Sequence, residues 1–441
     1  MNQAVDKWFA ANGGVLDTLA DKIFCYSELA GHEVQSAKAL CEALAENGFE
    51  VETGTGNLPA AFTATWGGGY PRIGFLAEYD ALPGMGPSLD ESVILKEDNS
   101  AHGCGHNLLG AGCVGAALAV KAAMEEKGLG GTLIVYGCPE EETGTGKTRM
   151  AAAGCFEDID VAVAWHPDKV NIVQETLYAS MKQIDFEFFG VASHAGGMPE
   201  MGRSAMDACE LLNIGENYLR EHVDKSVTMH WAYKVVGDKP NVVPAYAKIR
   251  HCVRGGNAKM VAETAERLID VARGAALMTG TRMEYSVWMD VPDQFMNKTL
   301  EKVFYDAYKT VEAPAYTAEE LAYANKIEGY NGFQPVENPM STELKPLLGA
   351  GEDKLYDGGS SDVISVSRLA PTVTVRAACI SKRVPFHHWT YAALCNMSIG
   401  HKGMKYASKA MALGALALLE DTSLVEKAKA EFQQIKAEKE A

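Results

Sequence analysis

The stretch Arg72-Ile73-Gly74-Phe75-Leu76-Ala77-Glu78-Tyr79-Asp80 joins a short apolar run to two acidic residues. Short apolar runs that end in polar residues are typical of buried parallel strands. Two further runs have this form, Thr132–Tyr136 before Glu141 and Val161–Trp165 before His166. Because a helical pattern separates the first two runs, the sequence predicts an α/β layer with a mostly parallel sheet. Ligands of such sheets bind at the carboxyl ends of strands, so we expect these polar side chains to share one site.

A different pattern occupies residues 180–291. Its predicted elements form the order βαββαβ, which is the ferredoxin-like split pattern. They are a strand at 182–188, a helix at 204–222, strands at 227–235 and 247–253, a helix at 257–277 and a strand at 282–288. Since a strand at 372–375 and a helix at 402–419 follow, the sequence predicts that 180–291 is inserted into a discontinuous catalytic domain, 1–179 and 292–441.

The composition excludes several classes of protein. A length of 441 residues favours two domains. The net charge of −18 argues against nucleic acid and anionic membrane surfaces as partners. The chain contains no run of about 18 apolar residues, and residues 1–7 lack the pattern of a signal peptide. Ten scattered cysteines are typical of reduced thiols, so we expect a cytoplasmic protein.

The segment Ala101-His102-Gly103-Cys104-Gly105-His106-Asn107 places a thiol and an imidazole two residues apart in a glycine-rich turn. Thiolate and imidazole are zinc ligands, and the glycines allow the backbone a close approach. In isolation the pair fits a buried thiol beside a hydrogen-bonded histidine at least as well. A thiol hydrolase using Cys104 and His106 is a further interpretation, but it leaves Glu141 and Glu142 without a role.

A second acidic segment is Pro139-Glu140-Glu141-Glu142. One of two adjacent carboxylates can bind a metal while its neighbour takes a proton from the attacking water. The alternative is an exposed acidic loop. The following residues, 143–148, resemble a phosphate loop but lack its G-x-x-x-x-G-K-[ST] spacing, so nucleotide binding is not favoured.

Taken in order, five motifs resemble those of the co-catalytic dinuclear metallo-amidohydrolase/peptidase family, the group with hippurate hydrolase and the auxin-conjugate hydrolases. They are Glu78–Gly84, His102–Asn107, Pro139–Glu142, Trp165–Pro167 and Ser193–Ala195. Later motifs are similar to the aminobenzoyl-glutamate hydrolase branch of that family, and most of all to its B-type chains. They are Asn241–Pro244, Gly359–Val363, His387–Trp389 and Ser398–Met404. The resemblance implies a zinc-peptidase-like catalytic domain whose inserted domain acts as a lid and dimerises.

The resemblance also implies two divalent metal ions, with zinc as the default and manganese or cobalt as alternatives. The implied ligands are Cys104, His106, Glu142, His166 and His387, with the cysteine in the bridging position. Glu141 is the implied general base. Glu140 stands where the family has alanine, which leaves a slip of one residue open. His388 and His401 compete with His387 for the role of late ligand.

The remaining site residues follow from the same resemblance. Asp80 would orient a ligand. His194 would reach the partner subunit's active site and stabilise the developing oxyanion, and its alternative is a structural role at a turn. Asn241 and Arg254 would contact the substrate carboxylate, because an arginine pairs with a carboxylate through two parallel hydrogen bonds. The alternative for Arg254 is a surface salt bridge.

These residues predict an enzyme that hydrolyses the amide bond of N-acyl or N-aroyl amino acids, including aminobenzoyl-glutamate-like substrates. The implied mechanism is attack by metal-bound hydroxide with Glu141 as general base. The implied partners are a small-molecule substrate, a second copy bound through the lid, and a related partner chain in some members of the branch. A dipeptidase or aminoacylase of the same fold is the alternative, and a non-catalytic binding protein would leave Glu141 unexplained.

Overall fold

The computed structural model describes residues 3–93, 95–348 and 359–440. The helices of the described residues are α1 (Gln3–Tyr26), α2 (Val34–Ala45), α3 (His106–Lys127), α4 (Gly146–Ala152), α5 (Ala205–Leu219), α6 (Ala258–Thr279), α7 (Lys298–Tyr308), α8 (Ala318–Gly329), α9 (Val363–Ser367), α10 (Trp389–Cys395), α11 (Ser398–Glu420) and α12 (Thr422–Glu440). The strands are β1 (Glu50–Thr53), β2 (Phe62–Gly68), β3 (Arg72–Ala77), β4 (Gly131–Gly137), β5 (Val161–Asp168), β6 (Ile172–Val173), β7 (Ser180–Phe189), β8 (Thr228–Val235), β9 (Tyr246–Gly255), β10 (Arg282–Val291) and β11 (Thr372–Ala378).

The chain divides into two compact units. Of the described residues, the first unit contains 3–175, 295–348 and 365–440 without residue 94, and the second contains 176–294 and 359–364. Each unit has its own buried apolar core.

The first unit is built on a seven-stranded sheet in the order β1-β2-β4-β3-β5-β11-β6. Its four central strands are parallel, and β1, β2 and β6 add antiparallel edges. The central strands are the apolar runs of the sequence, and every residue of β4 is buried. This arrangement confirms the predicted α/β class and its mostly parallel sheet.

Helix α3 lies in the core of the first unit, and most of its residues are buried. Its small residues allow this close packing, since a Cβ atom added at Gly112 would lie 2.7 Å from the Trp165 ring. By length and composition α3 could also cross a membrane. However, 89% of its apolar window is buried inside the fold, as in any central core helix.

The second unit has the predicted βαββαβ order, β7-α5-β8-β9-α6-β10. Its sheet has the order β10-β7-β9-β8, and all its strand pairs are antiparallel. Helices α5 and α6 contribute Leu212 and Leu268 to the same apolar core as Ile184, Phe186 and Phe188 of β7. The order of elements and the sheet order are those of a ferredoxin-like domain.

Candidate metal centre

Parallel strands bring the predicted site residues to one edge of the first unit's sheet. Asp80 follows β3, Glu141 and Glu142 form a single turn of 3-10 helix after β4, and His166 lies near the end of β5. Strands β4, β3 and β5 are neighbours with parallel register, so their carboxyl ends coincide. His106 is the first residue of α3, which begins after the left-handed Gly105.

Two groups of side chains that share Cys104 could each hold a metal ion. The ligand atoms of Cys104, His106 and His166 lie within 4.8 Å of one another, and so do those of Cys104, Glu142 and His387. Cys104 belongs to both groups, as expected of a bridging ligand. The Cys104 Sγ–His166 Nε2 distance is 3.4 Å, and the His387 Nε2–Glu142 Oε2 distance is 3.7 Å. Tetrahedral zinc bonds of ordinary length place neighbouring ligand atoms about 3.3–3.6 Å apart, so these spacings suit a metal.

The hydrogen bonds around His106 direct one of its nitrogens into the site. Its Nδ1 lies 2.8 Å from Asp80 Oδ1, and the ring is fully buried. Its Nε2 and the Glu142 Oε1 are buried atoms without a hydrogen-bond partner among the described residues. Buried polar atoms are rarely left unpaired, and a carboxylate behind a histidine is the usual support of a metal ligand. The residues therefore fit a metal ion.

Glu141 lies beside the first group, with its Oε2 4.0 Å from His106 Nε2. Burial and then the charge of Glu78 raise the pKa of Glu141 to about 7. A general base works best when its pKa is near the operating pH. Burial and the charge of Glu142 also raise the pKa of the Cys104 thiol, so a nearby cation is needed to favour its thiolate form.

Glu140 occupies a different environment from its two neighbours. Arg149 Nη1 donates to both of its carboxylate oxygens at 3.0 and 2.9 Å, and Thr145 Oγ1 donates to Oε2 at 2.9 Å. These bonds hold the carboxylate away from the ligand atoms of the two metal-binding groups.

Only one of the three late histidines lies in those groups. His387 faces Glu142 from a left-handed backbone conformation, with φ of 57°. The Nδ1 of His388 instead accepts from Thr390 N at the start of α10, at 3.3 Å. His401 Nε2 lies 2.9 Å from Asp21 Oδ1, which belongs to α1. The sequence left this choice open because His387 and His388 are adjacent and His401 lies in the next motif along the chain.

The interpretation of the sequence missed two functional candidates, Lys147 and Glu78. Lys147 is fully buried, and its Nζ lies 2.6 Å from Glu78 Oε1. Glu78 forms a third possible ligand group with His106 and Glu141. Lys147 belongs to the segment that resembles a phosphate loop, and its burial against Glu78 is incompatible with phosphate binding there. The only sequence signal was the position of Glu78 directly after β3.

The second unit holds the three remaining predicted residues. His194 and Asn241 are exposed neighbours, since an isolated bridge pairs His194 with Val242 and Ala195 N donates to Asn241 O at 3.0 Å. Arg254 lies near the end of β9, a ten-residue strand that begins five residues after Asn241. Such a strand spans about 30 Å, so Arg254 lies at the opposite end of the sheet from the other two.

An α/β unit with clustered cysteine, histidine and glutamate side chains at its strand ends is typical of metallohydrolases. The model of the peptidase family M20/M25/M40 matches residues 74–434. The chain belongs to this family of metallopeptidases and amidohydrolases, which act on amide bonds.

Named relatives agree with this assignment. The chain is 35% identical to the B chain of p-aminobenzoyl-glutamate hydrolase from Escherichia coli (strain K12), over 95% of the present chain and 92% of the relative. It is 34% identical to the Xaa-Arg dipeptidase of Mus musculus, over 73% and 72%. The structure of a dinuclear metal-binding M20 peptidase from Bacillus subtilis matches with a TM-score of 0.62 at 17% identity, covering 93% of this chain and 99% of that one.

Proposed function

We propose that the chain hydrolyses the amide bond of N-acyl or N-aroyl amino acids, with aminobenzoyl-glutamate-like compounds as substrates. The observation that carries this proposal is the convergence of two ligand groups on Cys104, with Glu141 beside them. The substrate class rests on the 35% identity to the aminobenzoyl-glutamate hydrolase relative over nearly the whole chain.

The proposed metal ligands are the five residues of the two groups, namely Cys104, His106, Glu142, His166 and His387. Two bound divalent ions would supply Lewis-acid polarisation and acidify a water molecule. Thiolate and imidazole donors favour zinc, and manganese or cobalt are alternatives for the same site. Asp80 positions His106 through its Nδ1 hydrogen bond.

Glu141 acts as the general base in this proposal. It accepts a proton from the attacking water and delivers it to the leaving amine. Its Oε2 lies 4.0 Å from His106 Nε2, beside the proposed metal ligands, where a general base can reach the attacking water. Glu140 is less suited to this role, since Arg149 and Thr145 occupy its carboxylate.

His194 has a defined tautomer that suits an oxyanion donor. Its Nδ1 accepts from the backbone N–H groups of Gly196 and Gly197, at 3.2 and 2.9 Å. The neutral ring therefore carries its proton on Nε2, which can donate to a developing negative charge. We propose that this donor serves the partner subunit's site in a dimer formed through the lid, residues 180–291. The aminobenzoyl-glutamate hydrolase relatives are subunits B and A of one enzyme, which supports a related partner chain here.

Arg254 and Asn241 are proposed to contact the carboxylate of the amino-acid product half. Arg254 is half-buried near the end of β9, and Asn241 is exposed. Because these two residues lie at opposite ends of the sheet, a single substrate would meet them only if they came from different subunits.

All ten cysteines lack disulfides, which supports the proposed cytoplasmic location.

The second candidate function is a dipeptidase, which the 34% identity to the Xaa-Arg dipeptidase favours. The two are separated by assaying the zinc-loaded protein against p-aminobenzoyl-glutamate, N-acyl amino acids and Xaa-Arg dipeptides, with Glu141→Gln as the inactive control. We expect the highest kcat/KM for the acylated acidic amino acids. A preference for the dipeptides would transfer the assignment to the second candidate, and equal rates in wild type and Glu141→Gln would refute both.

A further inference from the structure

The turn that carries Glu141 and Glu142 depends on an unusual backbone conformation. Glu140 has φ of 62° and ψ of 28°, in the left-handed region that favours glycine. The single 3-10 turn after it directs Glu141 toward His106 Nε2 and Glu142 toward His387. A non-glycine residue keeps such a conformation only where its surroundings enforce it.

Glu33 supports this turn from the segment before α2. Its carboxylate Oε1 accepts the backbone N–H of Glu140 at 2.7 Å, and its side chain is completely buried. The two residues are 107 positions apart in the sequence. Burial and then the charge of Asp80 raise the pKa of Glu33 to about 7, whereas the hydrogen bond from the Glu140 N–H favours its charged form.

Arg149 holds the same residue through its side chain. It donates from Nη1 to both carboxylate oxygens of Glu140, and Thr145 adds a third bond. Helix α4, which carries Arg149, packs directly on the turn, because a Cβ atom at Gly146 would lie 1.7 Å from Pro139 O. Glu140 is thus held by its N–H on one side and by its carboxylate on the other.

We propose that Glu33 and Arg149 are positioning residues that lock Glu140 in its left-handed conformation and thereby aim Glu141 and Glu142 at the metal centre. The inference rests on the proposed roles of Glu141 and Glu142. It also assigns a function to the glutamate at position 140, where the family resemblance has alanine. The carboxylate of that glutamate, held by Arg149, gives the turn a second attachment besides the Glu140 N–H.

The test compares Glu33→Ala, Glu33→Gln and Arg149→Ala with Glu320→Ala as a matched control. Glu320 is also a buried glutamate that accepts a backbone N–H, but it belongs to α8 and pairs with Lys402 of α11. Each variant is titrated with Co²⁺ alone, followed by its visible absorption, and then assayed for kcat and KM. The Co²⁺ titration needs no substrate, so it decides the inference even if the proposed amidase activity is absent.

We expect Glu33→Ala to lower the affinity for the second Co²⁺ and kcat by about 10-fold or more, with KM changed little, as for other residues that support metal ligands. Glu33→Gln keeps an acceptor oxygen and should recover most of both. Arg149→Ala should give a smaller loss of the same kind, and because its side chain is half-exposed it should fold even if Glu33→Ala does not.

Wild-type Co²⁺ binding in both Glu33→Ala and Arg149→Ala would overturn the inference. So would equal losses in Glu33→Gln and Glu33→Ala, because the acceptor oxygen would then be irrelevant. An equal loss in Glu320→Ala would show that reduced stability, and not the turn, accounts for the effect.

Discussion

In the first unit His106 is fully buried and Cys104 is 8% exposed, whereas in the second unit His194 and Asn241 are exposed. The first set is held by side-chain hydrogen bonds such as that between His106 and Asp80. The second set is held mainly through the backbone at the ends of strands. A metal centre needs ligands fixed before the metal arrives, while groups that receive a substrate must stay accessible. In the proposed mechanism the first unit supplies the metal ligands and the general base, and the second unit supplies the oxyanion donor and the contacts to the substrate carboxylate.

The sharpest test of the metal centre is removal of metal. Exhaustive chelation should abolish amide hydrolysis, and added zinc should restore it. Because Cys104 belongs to both ligand groups, Cys104→Ala should lower the bound metal measured by elemental analysis below that of a variant lacking a ligand of one group, such as His387→Ala. Activity that survives chelation would contradict a metal-dependent mechanism.

The next largest effect is expected at the general base. Glu141→Gln should lower kcat by about 10³-fold, within the usual range for a general acid–base residue, and leave the metal content intact. Glu142→Gln should instead reduce metal binding, so elemental analysis separates the two neighbours. If Glu140→Gln stopped turnover while Glu141→Gln did not, the base would lie one residue earlier than assigned.

Among the proposed site residues of the second unit, replacement of His194 should have the largest effect on turnover. His194→Ala should lower kcat by roughly 10²-fold, as loss of an oxyanion donor does. If His194 serves the partner subunit's site, a heterodimer of His194→Ala with Glu141→Gln, isolated by two affinity tags, contains one complete site. Its activity should be about half that of the wild-type dimer. A heterodimer as inactive as its two parents would place His194 in its own subunit's site.

Arg254 should influence binding more than turnover. Its replacement by alanine should raise KM for a carboxylate-bearing substrate by roughly 10- to 100-fold, the cost of a charged hydrogen-bonded pair. Arg250→Ala is the matched control, since it lies on the same face of β9 but pairs with Asp185 and stacks on Trp288. If Arg254→Ala and Arg250→Ala had equal KM values, Arg254 would have a structural role and no specific role in substrate binding.

Most of the buried set could be predicted because it follows from local patterns. An apolar strand followed by a polar residue defines both the sheet and its functional edge, so Asp80, Glu141 and His166 were found together. The ferredoxin-like order of the second unit follows from the same kind of periodicity. Both depend on residues that are close in the sequence.

The remaining features depend on contacts between distant residues. The hydrogen bond between Glu33 and Glu140 spans 107 positions, and no periodicity reports it. The pairing of Lys147 with Glu78 requires that the start of α4 lie beside the end of β3, which the sequence does not specify. The distinction between His387 and His388 depends on where α10 begins, because the preceding residue becomes its cap.

The smallest expected effect concerns stability in the helical layer of the first unit. Although burial would raise the pKa of Glu320, hydrogen bonds from Lys402 and Ser398 lower it from 4.5 to about 2. The difference (4.5 − 2) corresponds to at most about 3 kcal/mol of stability, and partial solvent screening should leave about 1–2 kcal/mol. This contribution is complete above the unfolded pKa and is lost as the pH falls through the folded value. Glu320→Gln should therefore be less stable than wild type to urea at pH 7, and the gap should narrow steadily below about pH 4.5. Since Glu320 is not a proposed metal ligand, kcat of Glu320→Gln at pH 7 should equal that of the wild type. If kcat fell in proportion to the loss of stability, the metal centre would depend on the helices that carry Glu320 and Lys402.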